Sequence, residues 1–185
     1  MSNLNEISFL DTTINGLKIL ERKKFLDDRG SFERVFSEKF DSQALENFEI
    51  LDINLSKTML KGTVRGMHYQ SGAAAETKLV TCVSGSLLDV VIDMRSDSST
   101  YLRIFSIKLN GEDSLTLQIP KGCAHGFQAQ ENETQLLYLV DSHYSNLNQC
   151  GVNPLSEELL KIWPLEISLV SIQDSKWPKI AELKE

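Results

Sequence analysis

The sequence predicts an all-β barrel or sandwich, and three observations carry that reading. Three pairs of β-rich runs follow one another between residues 78 and 144. Each pair is joined by turn chemistry, and no amphipathic helix of crossover length separates them. Strands at such spacing suit an antiparallel sandwich or barrel, not a parallel sheet with crossover helices. Before this region, "SEKFDSQALENF" (37–48) spaces Phe40, Leu45 and Phe48 in a roughly helical way and predicts a short surface helix. "EILDINLSK" alternates loosely between apolar and polar residues. "KLVTCV-SG-SLLDVVIDMR" (78–95) predicts a hairpin turning at Ser84-Gly85. "YLRIFSIKL-NGE-DSLTLQIP" (101–120) predicts a second at Asn110-Gly111, and "CAHGFQAQ-ENET-QLLYLVDSHY" (123–144) a third. "LSEELLKI" (155–162) predicts a short helix stopped by Trp163-Pro164, and the tail after Pro178 has no readable role. The expected architecture is a jelly-roll or cupin-like barrel with short peripheral helices, in one domain over residues 1–185.

Bulk properties narrow the function classes. The 185 residues are 41% hydrophobic and 24% charged, ordinary for a soluble globular protein. A formal net charge of −7 argues against a nucleic-acid surface, although a few placed cations suffice for a small anionic substrate. "MSNLNEISFLDTT" has neither a basic n-region nor an apolar core, so no signal peptide is expected. No apolar run approaches the length of a membrane span. Cys82, Cys123 and Cys150 are odd in number and far apart, which predicts reduced thiols in a cytoplasm, not a disulfide frame or a zinc site.

Of the three histidines, His68 in "TVRGMHYQ" (63–70) is the most informative. Many barrels of this type hold a metal with two histidines one residue apart, a carboxylate soon after and a histidine on a later strand. Here the second position is Gln70. His68, Glu76 and His125 still leave a metal alternative open. In "LLDVVIDMR", Asp89, Asp93 and Arg95 share one face of the strand; the simpler reading puts that face in solvent, the sharper one puts Asp89 near a lumen site.

Five segments in order then carry a family resemblance: "LDDRGSFERVF" (26–36), "NLSKTMLKGTVRGMHYQ" (54–70), "KLVTCVSGSLLDVVIDMRSDSSTY" (78–101), "IPKGCAHGFQ" (119–128) and "WPLEISLVSIQDSKWP" (163–178). Together they resemble the dTDP-4-dehydrorhamnose 3,5-epimerase family, from about Gly16 to Pro178. The resemblance implies a cupin-type jelly roll, a homodimer, no metal or organic cofactor, and a nucleoside-diphosphate-linked 4-keto-6-deoxy sugar as substrate. Inverting a carbon next to a ketone needs a base on one face, an acid on the other, and a group to steady the enolate oxygen.

The resemblance assigns these roles. His68 is the base, a role that suits imidazole because its free pKa lies close to neutrality, and Asp174 is its carboxylate partner. Tyr138 is the acid on the opposite face, its phenol protonated at neutral pH. Lys78, His125, Arg65, Arg29 and Asn54 contact substrate, and Tyr144 stacks on the nucleobase. Strict alternation would put Arg65 and His68 on opposite faces of a strand, so an irregularity is expected at Gly66. The chain departs from the rhamnose-pathway pattern at Arg34 (with Glu33 one residue early), Asp52, Cys150 and Gln173. These changes keep open an epimerase of C3 or C5 alone on a CDP- or GDP-linked keto-sugar. A 3,4-ketoisomerase and a non-enzymatic sugar-nucleotide-binding barrel are further alternatives. The expected biological setting is synthesis of a surface polysaccharide or a glycosylated metabolite.

Overall fold

A computed structural model describes residues 7–38, 40, 45 and 48–184. Among these residues, thirteen strands and one short α-helix follow in chain order: β1 (Ile7–Asp11), β2 (Lys18–Arg22), β3 (Lys24–Asp27), β4 (Gly30–Glu33), β5 (Asp52–Thr58), β6 (Val64–Gln70), β7 (Lys78–Ser84), β8 (Ser86–Asp93), β9 (Ile104–Asn110), β10 (Leu115–Ile119), β11 (Cys123–Ala129), β12 (Thr134–Val140), β13 (Gln149–Gly151) and α1 (Glu157–Leu160). They form a six-stranded sheet in the order β1-β2-β10-β7-β12-β5, a five-stranded sheet in the order β13-β6-β11-β8-β9, and the separate pair β3-β4. The two large sheets face each other as a jelly roll, as the strand pattern predicts.

The predicted turns reverse the chain, but none of the three makes a hairpin. β7 and β8, β9 and β10, and β11 and β12 each fall in different sheets. Every one of these turns carries the chain across the core instead. A turn residue specifies a reversal; whether the returning strand bonds at the edge or stacks face to face depends on what covers its two faces. β8 shows the reason. Leu87 and Val91 pack in the core between the sheets with Val80, Leu117, Phe127 and Leu136, while Val90 and Ile92 pack on the outside with Val152, Leu159, Trp163 and Ile180. Buried on both faces, β8 takes β11 and β9 as neighbours.

That arrangement overturns the solvent reading of Asp89 and Asp93, both of which are fully buried. Asp93 ties down the loop between β8 and β9. Its carboxylate accepts hydrogen bonds from Arg95 Nε and Nη2 (each 2.8 Å), Ser98 Oγ (2.6 Å) and Thr100 Oγ1 (2.6 Å). Burial pushes this carboxyl up, but the donors from Arg95, Ser98 and Thr100 outweigh it and hold the group well below the usual carboxylate range. A depressed folded-state value stabilises the fold above the unfolded value of about 3.9, and that contribution disappears as pH falls through the folded value. Asp93→Asn is expected to lose about 1.5–3 kcal/mol at neutral pH. In urea unfolding, the gap to the parent protein should close on acidification below about pH 4. A gap independent of pH would contradict this account.

The last segment covers the outer face of the five-stranded sheet. Ile180 is 1% exposed, and its N–H donates to Ser156 Oγ at 3.2 Å, so the tail after Pro178 does have a packing role. The helix expected over 155–162 is limited to α1, followed by turns. The helix expected over 37–48 lies largely outside the described residues; within it, Phe40 is buried, and Phe48 meets Phe36, which precedes the segment, at 5.9 Å between ring centroids.

Candidate active site

A pocket of about 260 Å³ opens between the sheets, and both contribute to its walls. Arg65 and His68 enter from β6 and His125 from β11; Asn54, Lys78 and Tyr138 enter from β5, β7 and β12. Tyr144, on the loop after β12, lines the mouth.

Gly66 explains how Arg65 and His68 reach one side. The register between β6 and β11 pairs His68 with His125 but Arg65 with Phe127, so the pairing shifts between the two. Gly66 has a φ of +115°, and a Cβ there would lie 2.6 Å from the Gly126 Cα. Only glycine combines that conformation with so close a backbone approach. The irregularity expected at Gly66 is present.

His68 Nε2 lies 2.6 Å from Asp174 Oδ1. Asp174 comes from the 3-10 turn Asp174–Lys176; it is 4% exposed, and its Oδ2 also accepts the Gly66 N–H at 3.3 Å. Burial pushes this carboxyl up, but His68 above all, with the Gly66 N–H and Ser171, holds it below the ordinary carboxylate value. An ionised Asp174 accepts, so Nε2 carries the imidazole proton and Nδ1 is left as the basic nitrogen.

Tyr138 stands on the facing sheet. Burial and the charge of Asp89 drive its phenol far above the usual value, against the opposing influence of Arg65. The hydroxyl is protonated at neutral pH, and among the described residues nothing hydrogen-bonds to it. Its ring meets His125 edge-on, at 5.9 Å and 70°. His125 Nε2 is 2.8 Å from Asp89 Oδ2, with both side chains buried. Burial raises the Asp89 carboxyl against the lowering influence of His125 and Lys78. Lys78 donates to the His68 carbonyl at 3.2 Å and pairs with Glu76 at 3.2 Å. An ammonium has three N–H donors, so one is left for the lumen.

Arg65 is steadied by Thr58 Oγ1, 3.0 Å from its Nε, and by the Lys57 carbonyl. Asn54 is the register partner of Tyr138, which explains why both face the pocket. The Tyr144 ring is exposed, and its hydroxyl donates to Gln149 Oε1 at 3.1 Å. Arg29 is not in this wall. It sits between β3 and β4, its side chain 90% exposed, in an ion pair with Asp27.

Several residues lie outside the set that the resemblance assigned to the site. Asp89 is the buried partner of His125, which alternation alone could not distinguish from a solvated face. Gln70, in the place of a second histidine, is buried. Its amide donates to the Ala74 and His143 carbonyls and to Glu76 Oε2, and its oxygen accepts from Ser145 N–H. It therefore shapes two loops at the pocket. Asp52 lines the mouth and lies 3.1 Å from His143 Nδ1. Glu33 is occupied by the buried Arg22. The three members of the metal alternative are each engaged elsewhere: His68 with Asp174, His125 with Asp89, and Glu76 with Lys78 and Gln70. Among the described residues, no group of three or more His, Cys, Asp or Glu is placed to hold a metal ion.

Facing antiparallel sheets, with a His68–Asp174 pair on one wall and Tyr138 on the other, define a cupin-type barrel with a pocket between its sheets. The profile of one family, described as dTDP-4-dehydrorhamnose 3,5-epimerase, matches residues 11–182. The dTDP-4-dehydrorhamnose 3,5-epimerase of Sinorhizobium fredii is 34% identical over 183 residues, covering 98% of this chain and 94% of that one. The 3,5-epimerase of Legionella pneumophila, solved with dTDP-4-keto-L-rhamnose, superposes with a TM-score of 0.87 at 32% identity, covering 96% and 97% of the two chains. A 3'-monoepimerase from Streptomyces bikiniensis, solved with dTDP-quinovose, gives a TM-score of 0.86 at 28% identity, covering 94% and 88%. This chain belongs to the dTDP-4-dehydrorhamnose 3,5-epimerase family.

Proposed function

We propose that the protein is an epimerase that inverts C3, C5 or both in a nucleoside-diphosphate-linked 4-keto-6-deoxy sugar, with a dTDP-linked sugar as the first substrate to test. One observation carries the reading. His68 and Tyr138 project into the same lumen from opposite sheets, so a sugar ring held between them meets a base on one face and an acid on the other. His68 Nδ1 removes the proton alpha to the ketone, and Asp174 stabilises the imidazolium that forms. The charge left on the ketone oxygen is steadied by Lys78, with His125 beside it. Tyr138 then delivers its proton to the opposite face, which inverts the carbon. Arg65 and Asn54 meet the diphosphate, where a guanidinium fork suits two oxygens, and Tyr144 stacks on the base. No step in this sequence calls for a redox group.

The reading includes a homodimer in the cytoplasm. β5 is a sheet edge that exposes Ile53 (62%) and Leu55 (60%), an unpaired apolar border of the kind that assembly covers. Among the described residues, the β3-β4 hairpin pairs only with itself, and it exposes Leu26 and Phe32. A lone hairpin is marginal in water, so a second subunit is the natural surface for it. In that arrangement Arg29 would serve a site other than the one in its own chain. The three cysteines are free thiols, and among the described residues no helix is long and apolar enough to cross a membrane. The product would feed synthesis of a surface polysaccharide or a glycosylated metabolite.

The test is incubation in D₂O with dTDP-, CDP- and GDP-linked 4-keto-6-deoxy sugars, followed by proton NMR. Deuterium uptake at C3, C5 or both, with the inverted sugar as product, is the expected result, and it ranks the nucleotides. A shift of the carbonyl from C4 to C3 would support the ketoisomerase instead. Binding without uptake from any of the three would sink the epimerase reading.

A further inference from the structure

Asp174 belongs to neither sheet, yet it meets His68 at 2.6 Å across 106 residues of chain. A carboxylate held that closely needs a mount that is fixed to the histidine strand. β13 and the two residues after it provide one. On one edge this segment is bonded to β6: Gly151 is the register partner of His68, and Val152 exchanges both backbone hydrogen bonds with Met67 (3.0 and 3.2 Å).

On the other side the same segment grips the turn that carries Asp174. The Trp177 indole lies against Gly151 so closely that a Cβ there would sit 2.5 Å from Nε1 and 2.6 Å from Cδ1 and Cε2. Gly151 does not have a positive φ, so it is the close approach of the ring that requires glycine. Two residues on, Asn153 is buried. Its N–H donates to the Pro178 carbonyl at 2.9 Å, and its Nδ2 donates to the Ser175 carbonyl at 2.7 Å. The turn is therefore bracketed at Ser175, Trp177 and Pro178 by a strand whose far edge holds the base.

We propose that Gly151 and Asn153, with Trp177, are positioning residues that set the His68–Asp174 contact. They touch neither the reacting atoms nor the substrate; they act through the placement of Asp174. The catalytic consequence rests on the epimerase reading, whereas the structural consequence does not.

The full-length protein labelled with ¹⁵N-histidine is compared with its Gly151→Ala, Asn153→Ser and Trp177→Phe variants. Two readouts are taken: the His68 Nε2–H resonance without substrate, and kcat and KM with the nucleotide sugar. Gly151→Ala and Asn153→Ser are expected to move or broaden the Nε2–H signal and to lower kcat by about tenfold to a hundredfold, as for a misplacement near 1 Å. KM should stay within about twofold, since Arg65, Asn54 and Tyr144 sit on other elements. Trp177→Phe keeps a flat ring over Gly151 and should retain most of both. A lowered melting temperature with an unchanged signal and kcat would overturn the proposal and leave a merely structural clasp. If Gly151→Ala does not fold, Asn153→Ser decides alone. If no nucleotide sugar is turned over by the parent protein, the histidine signal still decides the positioning claim, separately from the failure of the functional reading.

Discussion

His68→Asn abolishes deuterium uptake into the sugar while leaving the fold intact. Asparagine fills similar space and keeps a polar contact for Asp174, but its amide cannot accept a proton at neutral pH. Loss of a general base costs about 10²–10⁴-fold, so uptake should fall to that level or below detection. The pocket walls are unaltered, because Lys78 and Tyr138 stand on β7 and β12 and Arg65 is held by Thr58 and the Lys57 carbonyl. Nucleotide-sugar binding should therefore survive, and the thermal midpoint should move little. Proton NMR in D₂O and a titration of ligand binding check the two halves separately. Uptake at the parent rate would mean that another group is the base. His125 would be the first to suspect, since it is the other imidazole of the lumen.

Tyr138→Phe separates the two halves of the reaction. The base remains, so the enolate still forms. With no acid on the opposite wall, a deuteron returns from the His68 side, and the original configuration is restored. His68 can supply solvent deuterium because its side chain is 35% exposed. The expected result is continued wash-in of label, with formation of the inverted sugar reduced by about 10²–10⁴-fold. The hydroxyl has no hydrogen-bond partner among the described residues, so its removal should cost little stability. Equal loss of label uptake and inversion would place Tyr138 in enolate formation instead. Full retention of inversion would remove it from the chemistry.

The contrast between these variants follows from sheet membership. His68 is on the five-stranded sheet and Tyr138 on the six-stranded sheet. In the proposed function, stereochemical inversion is a property of the sandwich: two walls, one proton-transfer group on each. Asp89 adds to the asymmetry. Buried behind His125, it adds to the burial that pushes the Tyr138 phenol up, so the hydroxyl keeps its proton.

What the sequence determined by itself was local. Alternation and turn residues gave the strands of the 78–144 region and the places where the chain reverses, because both depend on neighbouring residues. The ordered motifs around Arg65, His68, Lys78, His125 and Asp174 carried the family resemblance, which also marked Tyr138, and Gly66 marked the break in alternation that lets two of these groups share a wall. The tertiary structure decided the rest. Whether each reversed strand bonds at an edge or crosses to the facing sheet depends on what covers its outer face, and for β8 that cover is a segment from the far end of the chain. The burial of Asp89 and Asp93 follows from the same two-sided packing, which a polar face on one strand does not announce. Asp174 reads as polar surface in its own stretch of chain; contacts made far away in sequence, from Gly66 to its carboxylate and from Asn153 to the turn around it, hold it beside His68. Arg29 carries the right chemistry, yet it stands on a hairpin outside the wall, because a motif fixes residue type and order while the distance between residues is set by contacts far apart in sequence.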